Sequence, residues 1–423
     1  MSLRRRSLEF LRRRLRGEAL PVRLAFWDGE TFDFGPAPSI TITLHSKRLI
    51  RLFLTGNMAA LGEAYVRGEI DVEGRLQDII RLGIGIAERL GRSRTLRRLG
   101  TLAAYRPRFR HTRKRDARAI SYHYDVSNDF YALWLDRRMI YSCAYFHTGT
   151  EDIDTAQAQK LDHICRKLRL AEGDRLLDIG CGWGGLLIWA AQRHGISGVG
   201  ITLSRAQAEL ARARVAEAGL RDRIEIRLQD YRDIEGAESF DKIVSVGMVE
   251  HVGTANLPAY FAAIARLLKP GGLLLNHGIT VADRNGHAQG PPGGEFINDL
   301  VFPGGELAHV SRILYEIAGA GLEPLDFEDL RPHYPRTLLH WVRRLEANAA
   351  AAIEAAGAER YRIWRMYMAG MAYAFDAGWL GLAQVLAVRP AGGRPAPRPW
   401  TRRYQYDPAA AVPHAGPLDW GEL

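Results

Sequence analysis

Residues 176–185 read Leu-Leu-Asp-Ile-Gly-Cys-Gly-Trp-Gly-Gly, a short apolar run followed by a loop dense in glycine. Gly180, Gly182 and Gly185 fit the spacing G-x-G-x-x-G, in which missing side chains let the main chain approach a ligand closely. Such a loop joins a buried strand to the first turn of a helix, whose N–H groups also face the ligand. The stretch therefore predicts a strand, a ligand-binding loop and a helix in direct succession.

Apolar runs and helical patterns alternate along the chain on both sides of this loop. We predict strands at residues 175–179, 198–202, 224–228, 242–246, 273–275 and 382–388. Predicted helices occupy residues 186–194, 205–218, 259–268 and 351–376. Strands separated by helices at this spacing are typical of an α/β fold with a doubly wound parallel sheet.

The first ninety residues follow a different pattern. Apolar residues alternate within residues 22–55, which predicts strands around the turn Asp28-Gly29. Residues 57–90 are predicted to be helical. The chain is therefore expected to begin with a smaller α+β domain.

The glycine loop by itself fits either a dinucleotide or S-adenosylmethionine. A nicotinamide cofactor needs an acid at the end of the second strand to bind its ribose hydroxyls. Here that strand ends Thr202-Leu203-Ser204, without an acid, whereas Asp178 precedes the loop, where a carboxylate would face a sulfonium or ammonium group. Asp230 and Tyr231 follow the third strand, where an adenine would lie. These features favour S-adenosylmethionine.

Four chemically active side chains flank the predicted sheet: Cys143, Glu250, His277 and Tyr334. Doubly wound folds bind ligands at the carboxyl ends of their strands, where a thiol, an acid, an imidazole and a phenol would converge. Taken singly, each of these residues is also typical of an ordinary packed or hydrogen-bonded core position. The sequence pattern alone leaves both interpretations open.

Positive charge is concentrated at the front of the chain. Residues 1–118 contain 26 Lys and Arg against 12 Asp and Glu, whereas the remaining residues contain 32 against 36. This split indicates an anionic partner, nucleic acid or a phospholipid surface, although a solvated basic face would have the same composition. Residues 3–16 resemble a basic amphipathic helix, suited either to lying on lipid headgroups or to docking on its own domain.

The cellular setting is predicted from what the sequence lacks. Three cysteines without C-x-x-C spacing make a disulfide framework or a cysteine-rich zinc site improbable and favour a reducing cytoplasm. No run reaches the roughly 18–20 apolar residues that a membrane span requires. We therefore expect a cytoplasmic protein, peripherally associated with the inner face of the cell membrane.

The sequence resembles a known family, the cyclopropane fatty acyl phospholipid synthases, which include the mycolic acid cyclopropane synthases. Residues 62–69 resemble the family's Gly-Glu-x-Tyr-x-x-Gly signature. The family's motifs then occur in family order, as HYDVSNDFY, YSCAYF, LDIGCGWGG, GITLSRAQ, QDYRD, VSVGMVEHVG and PHYPRTL. Several of these motifs are not shared by methyltransferases in general, so the resemblance is specific.

The resemblance implies two groups of site residues. The family's S-adenosylmethionine contacts correspond to Tyr124, Tyr141, Ser142, Gly180, Gly182, Thr202, Gln207, Asp230 and Tyr231, with Asp178 and Leu203 beside them. Its bicarbonate pocket corresponds to Cys143, Glu250, His277, Ile279 and Tyr334, partly through main-chain atoms, and no metal is required. One departure is that residues 276–278 read Asn-His-Gly where the family more usually has Leu-His-Thr, so the edge of this pocket differs.

The resemblance also implies an organisation and a reaction. We expect a lipid-docking domain at 1–91, a basic linker at 92–119 and a Rossmann-like methyltransferase domain at 120–423. The expected reaction adds a methylene group to an unsaturated phospholipid acyl chain at the bilayer, without nucleic acid and as a homodimer. Three alternatives remain: a methyl-branched, methylene or furan-precursor product, an RNA methyltransferase, and a catalytically silent lipid-binding protein.

Overall fold

The structure is a computed structural model that describes residues 3–14, 20–55, 58–75, 79–80, 127–282, 301, 305–392, 398–407, 409 and 414–415. Two sequence predictions, the basic linker at 92–119 and the cofactor contact Tyr124, lie outside the described residues.

The amino-terminal part is a small α+β unit, as predicted. Its strands are β1 Val22–Phe26, β2 Thr31–Asp33, β3 Ile40–Leu44 and β4 Ile70–Glu73, in the order β2-β1-β3-β4. Strands β1 and β3 are parallel, and the other neighbours are antiparallel. Its helices are α1 Leu3–Arg14, α2 Arg48–Thr55 and α3 Met58–Val66.

The prediction of helix throughout residues 57–90 was wrong at β4. This strand has only four residues, Ile70–Glu73, which is too short for an alternating pattern to stand out. It forms because Ile70 and Val72 pair with Leu44 and Ile42 of β3, a contact between distant parts of the chain.

Helix α1 docks on its own domain. Leu8 is 2% exposed within the hydrophobic core, and Arg4 forms ion pairs with Asp28 and Glu30 of the hairpin between β1 and β2. The Arg4 guanidinium also lies 4.5 Å from the centre of the Phe26 ring, where a cation is attracted to the aromatic face. Part of the basic face is therefore used within the protein, while Arg5 and Arg6 are exposed.

The larger part contains a seven-stranded sheet in the order β10-β11-β9-β8-β5-β6-β7. Its strands are β5 Arg175–Ile179, β6 Ser197–Thr202, β7 Ile224–Leu228, β8 Phe240–Val246, β9 Leu268–Val281, β10 Glu323–Asp329 and β11 Leu380–Val388. Five strands are parallel, but β11 is antiparallel to β9 and β10 is antiparallel to β11. The expectation of a wholly parallel sheet is therefore corrected to a mixed sheet.

Helices cover both faces of this sheet, which confirms the doubly wound α/β class. They are α4 Asn128–Ala132, α5 Ile153–Lys167, α6 Gly185–His194, α7 Arg205–Glu217, α8 Val249–Val252, α9 Leu257–Leu267, α10 Val310–Gly319, α11 His333–Ala347 and α12 Ala349–Asp376. Successive residues of β5 point to opposite faces, so Leu176 packs with α5, α6 and α7 while Leu177 packs with α9 and α10. Helices α11 and α12 pack against each other.

The signature at residues 62–69 contacts α12 of the larger part. Arg362 donates hydrogen bonds to the main-chain oxygen of Tyr65 at 2.9 Å and to Asp71 at 2.8 Å. Arg365 donates to the Tyr65 hydroxyl at 3.0 Å. Gly68 has a φ of +76°, and a Cβ atom there would lie 3.1 Å from Arg362, so the tight turn needs glycine. The signature thus holds the amino-terminal unit against the longest described helix.

Within the part of the chain that the structure describes, no helix is both long and apolar enough to cross a bilayer.

Candidate active site

A pocket opens at the carboxyl ends of β5, β6 and β8, where a doubly wound sheet is expected to bind its ligand. The predicted cofactor residues that line it are Tyr141, Ser142, Asp178, Gly180, Gly182, Thr202, Leu203, Gln207 and Tyr231. The structure therefore brings together residues that the sequence places almost one hundred positions apart.

The glycine loop has the shape that its sequence predicts. Gly180 has a φ of +82°, and a Cβ atom there would lie 2.5 Å from the Met248 side chain. At Gly185, the first residue of α6, a Cβ atom would lie 2.5 Å from Ile140. Larger residues at either position would displace a neighbouring wall of the pocket, so the glycines are needed for packing as well as for ligand approach.

The end of β6 is held by local hydrogen bonds. Thr202 Oγ1 donates to Gln207 Oε1 at 2.7 Å, and the Ser204 side chain caps α7 by accepting from the Gln207 N–H. Asp230, by contrast, lies beside the pocket and accepts from Arg232 at 2.6 Å. The predicted role of Asp230 in binding the cofactor stays a prediction.

Sequence reasoning missed Lys160, which also lines this pocket. Its ammonium group donates to Ser142 Oγ at 2.8 Å, and the residue is 3% exposed. Burial lowers the pKa of Lys160 to about 8 and raises the pKa of the neighbouring Asp178 carboxyl to about 7. The sequence did contain a signal, because Lys160 falls on the buried stripe of α5 together with Ile153, Gln157 and Ile164.

Glu250 and Ile279 link helix α8 to the carboxyl-terminal end of β9. Glu250 lies on α8 and is 8% exposed, and its Oε1 accepts from the Ile279 main-chain N–H at 2.6 Å. Its Oε2 atom is buried and has no hydrogen-bond partner among the described residues. Burial raises the pKa of the Glu250 carboxyl to about 7, so it can be protonated near neutral pH.

His277 lies on β9 opposite Gln384 of β11. The Gln384 amide nitrogen lies 3.2 Å from His277 Nδ1, and because this amide only donates, Nδ1 accepts and the ring hydrogen sits on Nε2. In the described part of the chain, Nε2 is buried and finds no partner. Burial lowers the pKa of His277 to about 3, so the ring is neutral and presents an N–H donor.

Helix α11 carries Tyr334 and also contacts Cys143. Thr337 Oγ1, one turn after Tyr334, accepts from the Ala144 N–H at 3.0 Å and lies 3.8 Å from Cys143 Sγ. Burial raises the pKa of the Cys143 thiol to about 12, which excludes a thiolate at neutral pH. Cys143 and Tyr334 belong to one large hydrophobic cluster, against which Ile279 packs, and the predicted anion pocket stays a prediction.

Aromatic rings connect the two groups of site residues. Tyr141 of the cofactor pocket lies 5.3 Å from Trp341, which lies 6.4 Å from Tyr334, measured between ring centres. On the other side, Tyr131 lies 5.5 Å from Tyr141 and 5.1 Å from Trp183. These edge-to-face and tilted contacts form a continuous aromatic cluster, of which Tyr141 and Trp183 line the cofactor pocket.

The comparisons with known proteins agree with this site. The family model described as mycolic acid cyclopropane synthetase matches residues 111–385, and a second model, described as a domain of unknown function, matches residues 12–90. A probable fatty acid methyltransferase of Pseudomonas putida is 46% identical over 389 residues, covering 92% of this chain and 96% of that protein. The cyclopropane-fatty-acyl-phospholipid synthase of Escherichia coli K12 is 40% identical over 268 residues, covering 63% of this chain and 66% of that protein.

A solved structure extends the comparison to three dimensions. The mycolic acid cyclopropane synthase CmaA1 complexed with SAH and CTAB has a TM-score of 0.61 at 32% identity, covering 64% of this chain and 98% of that one. The related protein thus carries the demethylated donor, and the present chain has the glycine loop and pocket that suit such a ligand. The chain belongs to the mycolic acid cyclopropane synthetase family and is an S-adenosylmethionine-dependent methyltransferase.

Proposed function

We propose that this enzyme transfers a methylene group to the cis double bond of an unsaturated phospholipid acyl chain and so forms a cyclopropane fatty acid. The observations that carry the proposal are two buried polar atoms, Glu250 Oε2 and His277 Nε2, each of which has no partner among the described residues. Burying such atoms unpaired is costly, which indicates a polar ligand at this place.

The aromatic cluster that includes Tyr141 and Trp183 suits the chemistry of an alkene acceptor. An isolated double bond is a weak nucleophile, and S-adenosylmethionine, when bound, supplies a strongly electrophilic methyl group on its sulfonium. Attack by the double bond places a positive charge on the acyl chain beside the new methyl group. The rings of Tyr141 and Trp183, which line the cofactor pocket, would stabilise this charge and help to keep out water, which would trap the cation.

The same cation must lose a proton from its new methyl group before the ring closes. His277 is a poor base because the pKa of its ring is about 3, and the Cys143 thiol stays protonated. Bicarbonate fits the polar atoms that remain: neutral His277 would donate from Nε2, and protonated Glu250 would donate from Oε2. Bound there with Tyr334 nearby, bicarbonate would supply a proton acceptor.

In this scheme the Ile279 main-chain N–H has a different role from the one that the resemblance implied. It already donates to Glu250 Oε1, so its role here is to orient the carboxyl group rather than to bind the anion directly. Glu250 is thereby held with its second oxygen turned to the ligand side.

An acyl chain has to come from a bilayer, and the basic amino-terminal part suits that task. Arg5 and Arg6 are exposed on α1, while Arg4 and Leu8 fix the helix to its own domain. Anionic headgroups attract arginine side chains by about 1 kcal/mol each near the surface. In this proposal the enzyme works at the inner face of the membrane, with the 1–91 part docking on phospholipid.

Lipid analysis tests the reaction. Cells producing the protein are fed methionine with a labelled methyl group, and their fatty acids are analysed by mass spectrometry. A cyclopropane product gains one labelled CH2 group and loses its double bond, whereas a methyl-branched saturated product gains two further hydrogens. Labelled branched acids alone would replace the cyclopropane proposal.

Two variants connect the product to the site. Glu250→Gln and His277→Ala should abolish product while leaving S-adenosylmethionine binding intact, since both side chains lie outside the residues that line the cofactor pocket. Wild-type rates from either variant would disprove the anion pocket.

A further inference from the structure

Lys160 is a buried cation inside a pocket whose ligand is itself a cation. Its side chain lines the methyl-donor pocket beside Asp178, and its ammonium group donates to Ser142 Oγ at 2.8 Å. One turn earlier on α5, the Gln157 amide donates to the Ser142 main-chain oxygen at 2.9 Å. Helix α5 thus holds both the main chain and the side chain of Ser142. Because the neutral Gln157 side chain already fixes Ser142, holding this residue does not by itself require a charged group.

Two buried carboxyl groups compensate the Lys160 charge. Asp178 is 3% exposed and Asp136 is 2% exposed, and both attract Lys160. Asp136 is fixed by hydrogen bonds from the N–H groups of Ile140 at 2.8 Å and Arg138 at 3.0 Å. Among the residues that the structure describes, the other titratable groups that interact with Lys160 are the Cys143 thiol and the His277 ring, both of which are neutral near pH 7.

The sulfonium of the donor adds a further positive charge to this set. Charges in a water-poor pocket interact more strongly than in bulk water, so a new cation disfavours protonated Lys160 and favours ionised Asp178. The product of methyl transfer is a neutral thioether with otherwise the same groups. Only the donor therefore shifts the protonation of Lys160 and Asp178 through the charge on its sulfur.

We propose that Lys160 is the residue by which the pocket distinguishes the cationic methyl donor from its neutral product: donor binding expels a proton from the Lys160–Asp178 pair, and product binding does not. This inference concerns the donor alone and is independent of the acceptor proposed above. Because binding and proton release are linked, donor affinity relative to product affinity rises as the pH rises towards 8. The burial that lowers the pKa of Lys160 to about 8 and raises that of Asp178 to about 7 places this change near neutral pH.

Isothermal titration calorimetry measures the effect directly. S-adenosylmethionine and S-adenosylhomocysteine are each titrated into the full-length protein at pH 7.5, in phosphate and in Tris, whose ionisation enthalpies differ. The donor should release up to about one proton more than the product. Equal proton release with the two ligands would overturn the proposal without any variant.

Two substitutions of Lys160 separate its charge from its shape. Arginine keeps the charge and cannot release its proton, so Lys160→Arg should weaken donor binding relative to product binding by about tenfold, and the pH dependence that remains should come from Asp178 alone. Lys160→Met removes the charge, so the donor-to-product affinity ratio should rise, and any extra proton release that remains should come from Asp178 alone. Unchanged donor-to-product affinity ratios in Lys160→Arg would contradict the proposal.

The control is Lys269→Gln, which removes a lysine that pairs with Asp241 away from the lining of the pocket. It should retain the wild-type difference between the two ligands. Product binding and thermal unfolding identify any variant that fails to fold, and in that case the wild-type comparison of donor and product decides the question.

Discussion

The main-chain N–H of Ile279 donates a 2.6 Å hydrogen bond to Oε1 of Glu250, and this bond ties helix α8 to the end of β9. It leaves the second carboxyl oxygen buried and without a partner among the described residues. One oxygen therefore positions the group while the other is available to a ligand. A carboxyl held in this way has a protonation state set by burial, which leads to the first prediction.

Glu250→Gln should stabilise the protein increasingly as the pH rises from 5 to 8. Burial raises the pKa of Glu250 from 4.5 to about 7, so the folded protein holds its proton more tightly than the unfolded chain. Wild-type stability from this group is full below pH 4.5 and is lost as the pH rises through 7, by on the order of 3 kcal/mol. Urea unfolding at several pH values measures the difference.

The matched control for that series is Glu209→Gln, at an exposed position of α7. Its stability difference from the wild type should stay nearly constant over the same pH range. A Glu250→Gln difference that is equally flat would contradict the assignment of a raised pKa to Glu250.

Thr337→Val should destabilise the contact between α11 and the segment that contains Cys143. The Thr337 hydroxyl accepts from the Ala144 N–H at 3.0 Å and donates to the His333 carbonyl at 3.0 Å, and the residue is fully buried. Valine has the same shape but leaves the Ala144 N–H unpaired, at a cost of about 1–3 kcal/mol. Thr337→Ser keeps the hydroxyl, so equal unfolding free energies for the two variants would refute the role of this bond.

Gly68→Ala should loosen the amino-terminal unit from α12. Both Gly68 and Gly29 have a positive φ, where alanine costs about 1–2 kcal/mol, but only at Gly68 would the new Cβ press on Arg362, at 3.1 Å. The loss of Arg362 hydrogen bonds should add about 1–3 kcal/mol. Thermal unfolding of Gly68→Ala against Gly29→Ala isolates the contact, and equal losses would show that Arg362 adjusts without cost.

Gly278→Ala should disturb the active site through Val249. A Cβ atom at Gly278 would lie 2.2 Å from Val249 Cγ1, and Val249 directly precedes Glu250. Overpacking of this kind costs about 1–3 kcal/mol, and the displaced α8 should lower activity. Val249→Ala makes room, so the double variant should recover stability and activity relative to Gly278→Ala. Purely additive effects in this double-mutant cycle would argue against the contact.

Arg5→Gln combined with Arg6→Gln should weaken binding to anionic vesicles by about tenfold or more, at about 1 kcal/mol for each arginine. Both arginines are exposed, so the fold should be retained. Co-sedimentation with vesicles containing anionic phospholipid measures the effect, with Arg221→Gln and Arg223→Gln as the charge-matched control. A further variant neutralises the arginines of residues 106–118, and undiminished binding by all variants together would exclude docking through either basic tract.

Local patterns predicted much of the larger domain. The strands at residues 175–179 and 224–228 have the predicted bounds, since the first contains a short apolar run and the second alternates apolar and charged residues. Strand β10 was not predicted, because its sequence, Glu323–Asp329, is rich in acids and depends on pairing with β11 at the edge of the sheet. The antiparallel direction of β11 was also missed, because the sequence of a single strand does not indicate whether it pairs in parallel or antiparallel.

By itself, the sequence determined the α/β class, the glycine loop and the residues from which the site is built, because glycine spacing and apolar periodicity act over a few neighbouring positions. Only the tertiary structure decided what these residues do to one another. It placed Cys143 against Thr337, 194 positions away, and His277 against Gln384, 107 positions away. It also buried Lys160 beside Asp178, and burial alone makes their protons responsive to a bound charge.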